Sequence, residues 1–184
     1  MLRILSFVCF AWLAFAPSIQ AAEFGVAGLA IDVPARFEGP VSTEIDGSSK
    51  TSAFTVPSAG LSPATVLQIT AVDLGGALSQ RDDAELAEIS QRYLLQMLQG
   101  IERRRTEYRR SEPKSIRLGS VPAAEVAWTG KANGLETNGK MFCVVSESGL
   151  VFFHVMGGGG SPNVDMAAAI KAIEQLRRPV TKTH

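Results

Sequence analysis

The segment from residue 141 to residue 156 constrains the fold most, because two strongly apolar runs flank a short polar turn there. Residues 141–145 and 150–156 are apolar at nearly every position, and residues 146–149 between them are Ser, Glu, Ser and Gly. Such a pattern predicts a β-hairpin, and a strand without polar alternation is typical of a sheet interior covered on both faces. The sequence therefore predicts a sheet with a layer on each side of this hairpin.

A long amphipathic helix is predicted to begin at Asp82 or Asp83 and to run to about Leu98. Asp82 followed by Glu85 three residues later is a capping-box pattern, and apolar residues then recur at spacings of three and four. Gly100 suits the end of this helix. The apolar stripe is wide enough to cover one face of the sheet.

A second helix is predicted near the C-terminus, with Ser161 as its N-cap, Pro162 as its first helical residue and an end before Pro179. Residues 179–184 are expected to form a loose tail. The chain therefore belongs to the α+β class. We expect an antiparallel sheet of about six strands sandwiched by helices, which is an α/β/α arrangement.

The remaining strands are predicted from short β-branched or alternating runs bounded by turn residues. They are residues 28–34, 52–57, 64–72, 115–118 and 123–129. The segment 64–72 alternates only weakly, so we expect both of its faces to be covered. Residues 38–50 predict a loop because Gly, Pro, Ser and Asp are frequent there, and Asn133-Gly134 and Asn138-Gly139 are two turn signals.

Residues 1–21 have the order of a signal peptide. Arg3 precedes an apolar run over residues 4–16, and small residues follow at Ala21 and Ala22. That run is shorter than the roughly 20 residues of a membrane-spanning helix, although an uncleaved anchor is the alternative. We expect cleavage after Ala21 or Ala22 and a periplasmic or secreted mature chain that lacks a transmembrane segment.

Charge is distributed unevenly along the mature chain. Without Arg3 there are 17 basic and 18 acidic residues, and this net charge of −1 argues against nucleic acid as a partner. Residues 23–100 have a net charge of −6, whereas residues 101–117 have a net charge of +4. The basic segment contains Arg103, Arg104, Arg105, Arg109 and Arg110. Either the arginines follow a helix C-terminus, where the dipole favours them, or they form a patch for an acidic partner or anionic lipid head groups.

Cys143 and His154 are the two residues whose side chains could form a catalytic pair. If Ser146 lies opposite Gly149, Cys143 faces Phe152 and His154 is its diagonal neighbour on the same face. A catalytic Cys-His pair needs an exposed thiol within reach of the imidazole. Because the neighbours on this face are apolar, we expect a buried, inert thiol and no catalytic residues.

No cofactor or metal site is predicted. Downstream of the signal segment, Cys143, His154 and His184 are the only cysteine and histidines, and their spacing does not match a zinc site. Four glycines at 157–160 precede a helix, but no Gly-Lys-Ser/Thr sequence follows, so a flexible connection is expected rather than a phosphate loop.

The order of these elements resembles the PsbP-like superfamily, whose fold is shared by the photosystem II extrinsic protein and a Ran-binding nuclear import factor. The resemblance lies in the helix that opens at Asp82, residues 119–128, the hairpin at 141–156 and the helix at Pro162. It covers residues 25–178 and implies an antiparallel sheet between helices, in a superfamily whose members generally act through protein contacts. No functional residue of that superfamily can be transferred to this sequence.

Together these features predict one domain over residues 23–178 that is not an enzyme. We expect it to bind a protein partner in the cell envelope, either an acidic partner or one at the membrane surface. Two alternatives stay open. One is a Cys-His hydrolase or transferase that uses Cys143 and His154, and the other is a carrier of an apolar ligand.

Overall fold

The computed structural model describes residues 21–58, 63–78, 81–146, 148–159 and 163–178. The strands are β1 (Ala22–Val26), β2 (Leu29–Val33), β3 (Glu38–Asp46), β4 (Ser49–Val56), β5 (Thr65–Asp73), β6 (Thr106–Arg110), β7 (Lys114–Leu118), β8 (Val121–Ala132), β9 (Leu135–Val145) and β10 (Gly149–Gly158). The helices are α1 (Asp83–Glu102) and α2 (Val164–Glu174). The predicted signal segment, apart from Ala21, and the predicted tail at 179–184 lie outside the described residues.

The predicted hairpin forms the centre of an antiparallel sheet. The strand order is β3-β4-β5-β10-β9-β8-β6, and β7 also pairs with β8, which makes eight strands. Cys143 pairs with Phe152 and His154 pairs with Met141, so the predicted register is confirmed. Both arms are almost completely buried because they occupy the middle of the sheet and are covered on both faces.

Helix α1 covers one face of the sheet over β7, β8 and β9. Its predicted capping box is present, because the Asp82 side chain accepts from the backbone N–H groups of Ala84 and Glu85, and Glu85 accepts from the N–H of Asp82. Leu94 and Leu98 are buried against Val126 and the other residues that point to this face. The helix ends at Glu102, one turn beyond the predicted Leu98, and Gly100 lies within it.

The opposite face is covered by α2 together with the small β1–β2 hairpin. Ala169 and Ile173 of α2 and Leu29 and Ile31 of β2 are buried in one cluster with Phe153 and other residues of the central strands. An isolated bridge between Ala30 and Arg177 ties the chain after α2 to β2. The α+β class is therefore correct, but the predicted sandwich is not, because a two-stranded sheet forms part of one covering layer.

The N-cap of α2 is Asn163 rather than the predicted Ser161. The Asn163 side chain accepts from the N–H groups of Asp165 and Met166 and donates to the Thr65 hydroxyl at 2.8 Å. This second bond joins the start of the helix to β5, which explains why the helix begins there. Ser161 and Pro162 lie outside the described residues.

The predicted count of about six strands was too low because edge strands have no apolar alternation. All nine residues of β3 are exposed, so the segment predicted as the loop 38–50 contains a strand. Pro40 has no N–H to donate, and such a residue is tolerated at a sheet edge. Strand β6 begins within the arginine-rich segment, and four of its five residues are exposed.

One half of the α1 face has no helix above it. The predicted coverage of both faces of β5 holds only for part of the strand: Leu67 and Ile69 are buried on one face and Thr70 is buried on the α1 face, whereas Val66 and Gln68 on the α1 face are partly exposed. We call this surface the open strip; its members on β4 and β5 are Thr51, Ala53, Thr55, Val66 and Gln68. Among the described residues, neither helix is both long and apolar enough to cross a membrane.

Candidate binding site

The Cys143 thiol lies inside the protein and not at a surface. Its side chain is 0% exposed beneath α1, and burial raises its pKa well above the ordinary value. The Ser90 hydroxyl faces the thiol and lowers that pKa to a lesser degree, but it meets no hydrogen-bond partner among the described residues. The thiol therefore has neither the exposure nor the ionisation that a nucleophile needs.

His154 is held by Trp128 and not by Cys143. The indole N–H of Trp128 donates to Nε2 of His154 at 3.2 Å. Nε2 is therefore unprotonated, and the neutral ring carries its proton on Nδ1. Burial, together with the nearby positive charge of Arg105, lowers the pKa of His154 to about 3. The imidazole thus stays neutral at ordinary pH.

Gly139 makes this contact possible. It lies opposite Trp128 across the β8–β9 pair, and a Cβ built on it would lie 2.5 Å from the indole ring. The missing side chain lets the indole cross β9 and reach His154 on β10. The predicted turn at Asn138-Gly139 is therefore wrong, because the glycine serves side-chain packing inside a strand.

The Arg105 side chain lies over the same indole. Its guanidinium carbon is 4.4 Å from the centre of the Trp128 ring, which is cation–π geometry. Its hydrogen bonds are long: 3.4 Å to Thr137 Oγ1, 3.4 Å to the Ile101 carbonyl and 3.8 Å to the sulfur of Met156. Burial lowers the pKa of Arg105 from its ordinary value. No carboxylate of the described residues pairs with it.

Tyr108 extends the aromatic cluster around the indole of Trp128. Its ring stacks on that of Trp128 with 6.3 Å between centroids. The buried Tyr108 hydroxyl has no hydrogen-bond partner among the described residues, and burial is the main reason that its pKa is raised.

A cleft opens between the C-terminal half of α1 and the sheet, and we call it the Arg105 cleft. Its volume is about 530 Å³. It is lined by Gln68, Gln96, Met97, Gly100, Ile101, Arg104, Arg105, Ala132, Met141, His154 and Met156. A smaller recess of about 260 Å³ adjoins it at Arg105 and Met156 and is lined otherwise by Thr137 and by uncharged residues of 63–66 and Gly157. Gln68 also belongs to the open strip, so strip and cleft are continuous.

The five predicted arginines do not all line the same cleft. Arg104 and Arg105 line the Arg105 cleft, whereas exposed Arg103 is the C-cap of α1. Arg110 pairs with Trp128 in the sheet and lies 4.0 Å from Glu112, and Arg109 lines a separate groove of about 290 Å³. The role of these residues towards an anionic partner stays a prediction.

Sequence reasoning did not single out the cluster of Trp128, His154 and Arg105. No feature of the local sequence distinguishes Arg105 from Arg104. The chain turns from α1 into β6 at this point, and only that turn directs Arg105 inward and leaves Arg104 exposed. Within the described ranges, no group of three His, Cys, Asp or Glu side chains could hold a metal ion.

No family model and no curated protein matches this chain. Among solved structures, a protein from Bacteroides thetaiotaomicron has a TM-score of 0.50 and 10% identity over 89% of this chain and 50% of its own. This chain thus spans about half the length of that protein. The likeness shows a shared fold alone.

Two further solved structures are less similar. PA94, a protein of unknown function from Pseudomonas aeruginosa, has a TM-score of 0.45 and 10% identity over 90% of this chain and 99% of its own. LpqN, involved in cell envelope biogenesis of Mycobacterium tuberculosis, has a TM-score of 0.40 and 13% identity over 76% of this chain and 84% of its own.

Proposed function

We propose that this chain is a non-catalytic binding domain of the cell envelope that recognises a protein partner through the open strip. The observation that carries the proposal is the uncovered half of the α1 face, where five uncharged side chains of β4 and β5 are partly exposed. Val41 of β3 extends this surface and is 73% exposed. Val41 and Ala53 lie opposite each other and Val66 is nearby, and exposed apolar side chains that lie together are typical of an interaction site.

The location in the envelope rests on the signal-peptide pattern of residues 1–21. Cleavage after Ala21 would leave β1 complete, since that strand begins at Ala22 and its first residue pairs with Val33. We place the chain in the PsbP-like superfamily as part of the same proposal, on the basis of the antiparallel sheet with a helix on each face. Sequencing the N-terminus of the exported protein tests the cleavage site.

The buried thiol supports a non-catalytic role. A Cys-His hydrolase or transferase needs Cys143 open to substrate, whereas this side chain is fully buried and the imidazole of His154 is bonded to Trp128. The carrier alternative has a specific observation in its favour, which is the Arg105 cleft with its three methionines.

Site-specific photo-crosslinking tests the protein-partner proposal. A photoreactive amino acid replaces Ala53 of the open strip, and as a control it replaces Glu174, which is exposed on α2. In the native host we expect a discrete protein adduct from position 53 and none from position 174. Adding Thr51→Lys should abolish the adduct, because a charge then enters the uncharged surface. Absence of an adduct at position 53, or the same adduct at both positions, would contradict the proposal.

A further inference from the structure

The arginines of this protein differ in whether they have an acidic partner. Arg36, Arg117 and Arg177 each form an ion pair at 2.6–2.8 Å. The other described arginines that lack an ion pair, apart from Arg105, are exposed. Arg105 is half-buried and forms none among the described residues. The only acidic side chain outside the described ranges is Glu147, which directly follows Ser146 in the sequence.

The hydrogen bonds of Arg105 do not compensate for the missing acidic partner. The two bonds to oxygen are 3.4 Å, longer than the 2.7–3.2 Å typical of N–H···O bonds, and the third goes to a thioether, which is a weak acceptor. Burying a charge is costly unless an opposite charge or strong hydrogen bonds compensate. An anion placed in the cleft would supply the missing bidentate acceptor.

The rest of the cleft matches an anion that carries an apolar chain. No acidic side chain of the described ranges lines either recess, and exposed Arg104 adds a second positive charge at the cleft. Apolar side chains line the remaining walls, including Met97, Met141 and Met156, and methionine adapts readily to flexible ligands. The amides of Gln68 and Gln96 and the neutral imidazole of His154 can donate hydrogen bonds without adding negative charge.

We propose that the Arg105 cleft binds a single-chain amphiphile with a carboxylate head group, with Arg105 as the residue that pairs with the head. The two recesses meet at Arg105 and Met156, so a head group at the guanidinium leaves apolar walls on both sides for the chain. This site deepens the carrier alternative, and it shares only Gln68 and Val66 with the open strip. Ala53 lines neither recess, so the crosslinking experiment at position 53 can succeed or fail independently of amphiphile binding in the cleft.

Binding of dodecanoate, measured with the chain from residue 22 onward and below the micelle concentration, tests the proposal. Trp128 is the only tryptophan in that chain and reports on the cleft by its fluorescence. The comparison ligands are dodecanol, dodecyltrimethylammonium and inorganic phosphate. We expect dodecanoate to bind at least tenfold more tightly than dodecanol or the cation, and phosphate alone not to compete at millimolar concentration.

Arg105→Gln then assigns the head-group contact. We expect it to lower dodecanoate affinity at least tenfold and to leave dodecanol affinity unchanged, whereas the control Arg103→Gln changes neither. Equal affinity for dodecanoate and dodecanol, absence of saturable binding, or an unchanged affinity in Arg105→Gln would overturn the proposal. If Arg105→Gln does not fold, the head-group series on the unaltered chain decides the question.

Discussion

The indole N–H of Trp128 donates to Nε2 of His154 at 3.2 Å, and the two rings are only 2% and 6% exposed. The bond requires a neutral imidazole, because a protonated ring has no acceptor nitrogen. Gln68 pairs with His154 across β5 and β10, Arg105 lies over the same indole, and no negative charge of the described residues acts on the imidazole. Protonation of His154 is therefore opposed by burial, by a positive charge and by loss of a hydrogen bond.

This arrangement predicts acid sensitivity. The folded-state pKa of His154 is about 3, and its ordinary value is 6.5. Between these values the unfolded chain binds a proton that the folded protein does not, so the free energy of unfolding falls as pH falls, by about 1.4 kcal/mol per pH unit. We expect a loss of about 2 kcal/mol between pH 7 and pH 5 in urea unfolding.

His154→Gln is the matched control, because glutamine does not titrate and its oxygen can still accept from the indole. Its stability should be nearly independent of pH over that range. Asp32 and Asp46 also have lowered pKa values, but their stabilisation is lost below pH 4–5, since their ordinary value is 3.8. An equally steep loss in His154→Gln between pH 7 and pH 5 would contradict the assignment to His154.

A second prediction concerns the two glycines near the cluster. Gly139→Ala would place a methyl group against the Trp128 ring, so we expect a loss of stability of about 1–3 kcal/mol and a change in indole fluorescence. Gly100→Ala is the control, since its Cβ meets no atom within 4 Å, and it should stabilise α1 by about 0.5–1 kcal/mol. Thermal unfolding of both variants measures the difference. If Gly139→Ala and Gly100→Ala changed stability by the same amount, Gly139 would not be the residue that makes room for the indole.

The centre of the sheet was predictable and its edges were not. The hairpin at 141–156 is apolar on both faces, so its place and register followed from the sequence, as did the capping box at Asp82. Strands β3 and β6 lie at the edges, where exposed side chains need no alternation and leave no pattern. The predicted coverage of β5 holds for Thr70 on the α1 face but not for Val66, which is apolar and yet stays partly exposed.

The candidate site was less predictable than the fold because its residues come from distant parts of the chain. Arg105, Trp128 and His154 meet only when β8, β9 and β10 pair, and Gly139 then provides the space between them. The dipeptide Asn138-Gly139 is also the sequence signal that marks a tight turn. The tertiary contact, and not the local sequence, decides which role the glycine has.

A third prediction tests the start of α1. Asp82→Ala removes the side chain that accepts from Ala84 and Glu85, so we expect a loss of about 1 kcal/mol. Asp83→Ala is the control: it keeps the capping side chain and removes an exposed ion pair with Arg117 and a first-turn carboxylate, each of which is typically worth less than about 1 kcal/mol. Urea unfolding measures both variants. A larger loss for Asp83→Ala would contradict the capping assignment.

The last prediction concerns the lone thiol and separates a binding domain from an enzyme. Because Cys143 is fully buried and burial raises its pKa, a thiol reagent should reach it only in the unfolded chain. With about 5 kcal/mol or more of stability, native labelling at pH 8 should be at least a thousandfold slower than in denaturant. Cys143→Ala should cost about 1–2 kcal/mol and leave dodecanoate binding unchanged. Fast labelling of the native protein would restore the Cys-His alternative, because it would require an exposed and ionised sulfur.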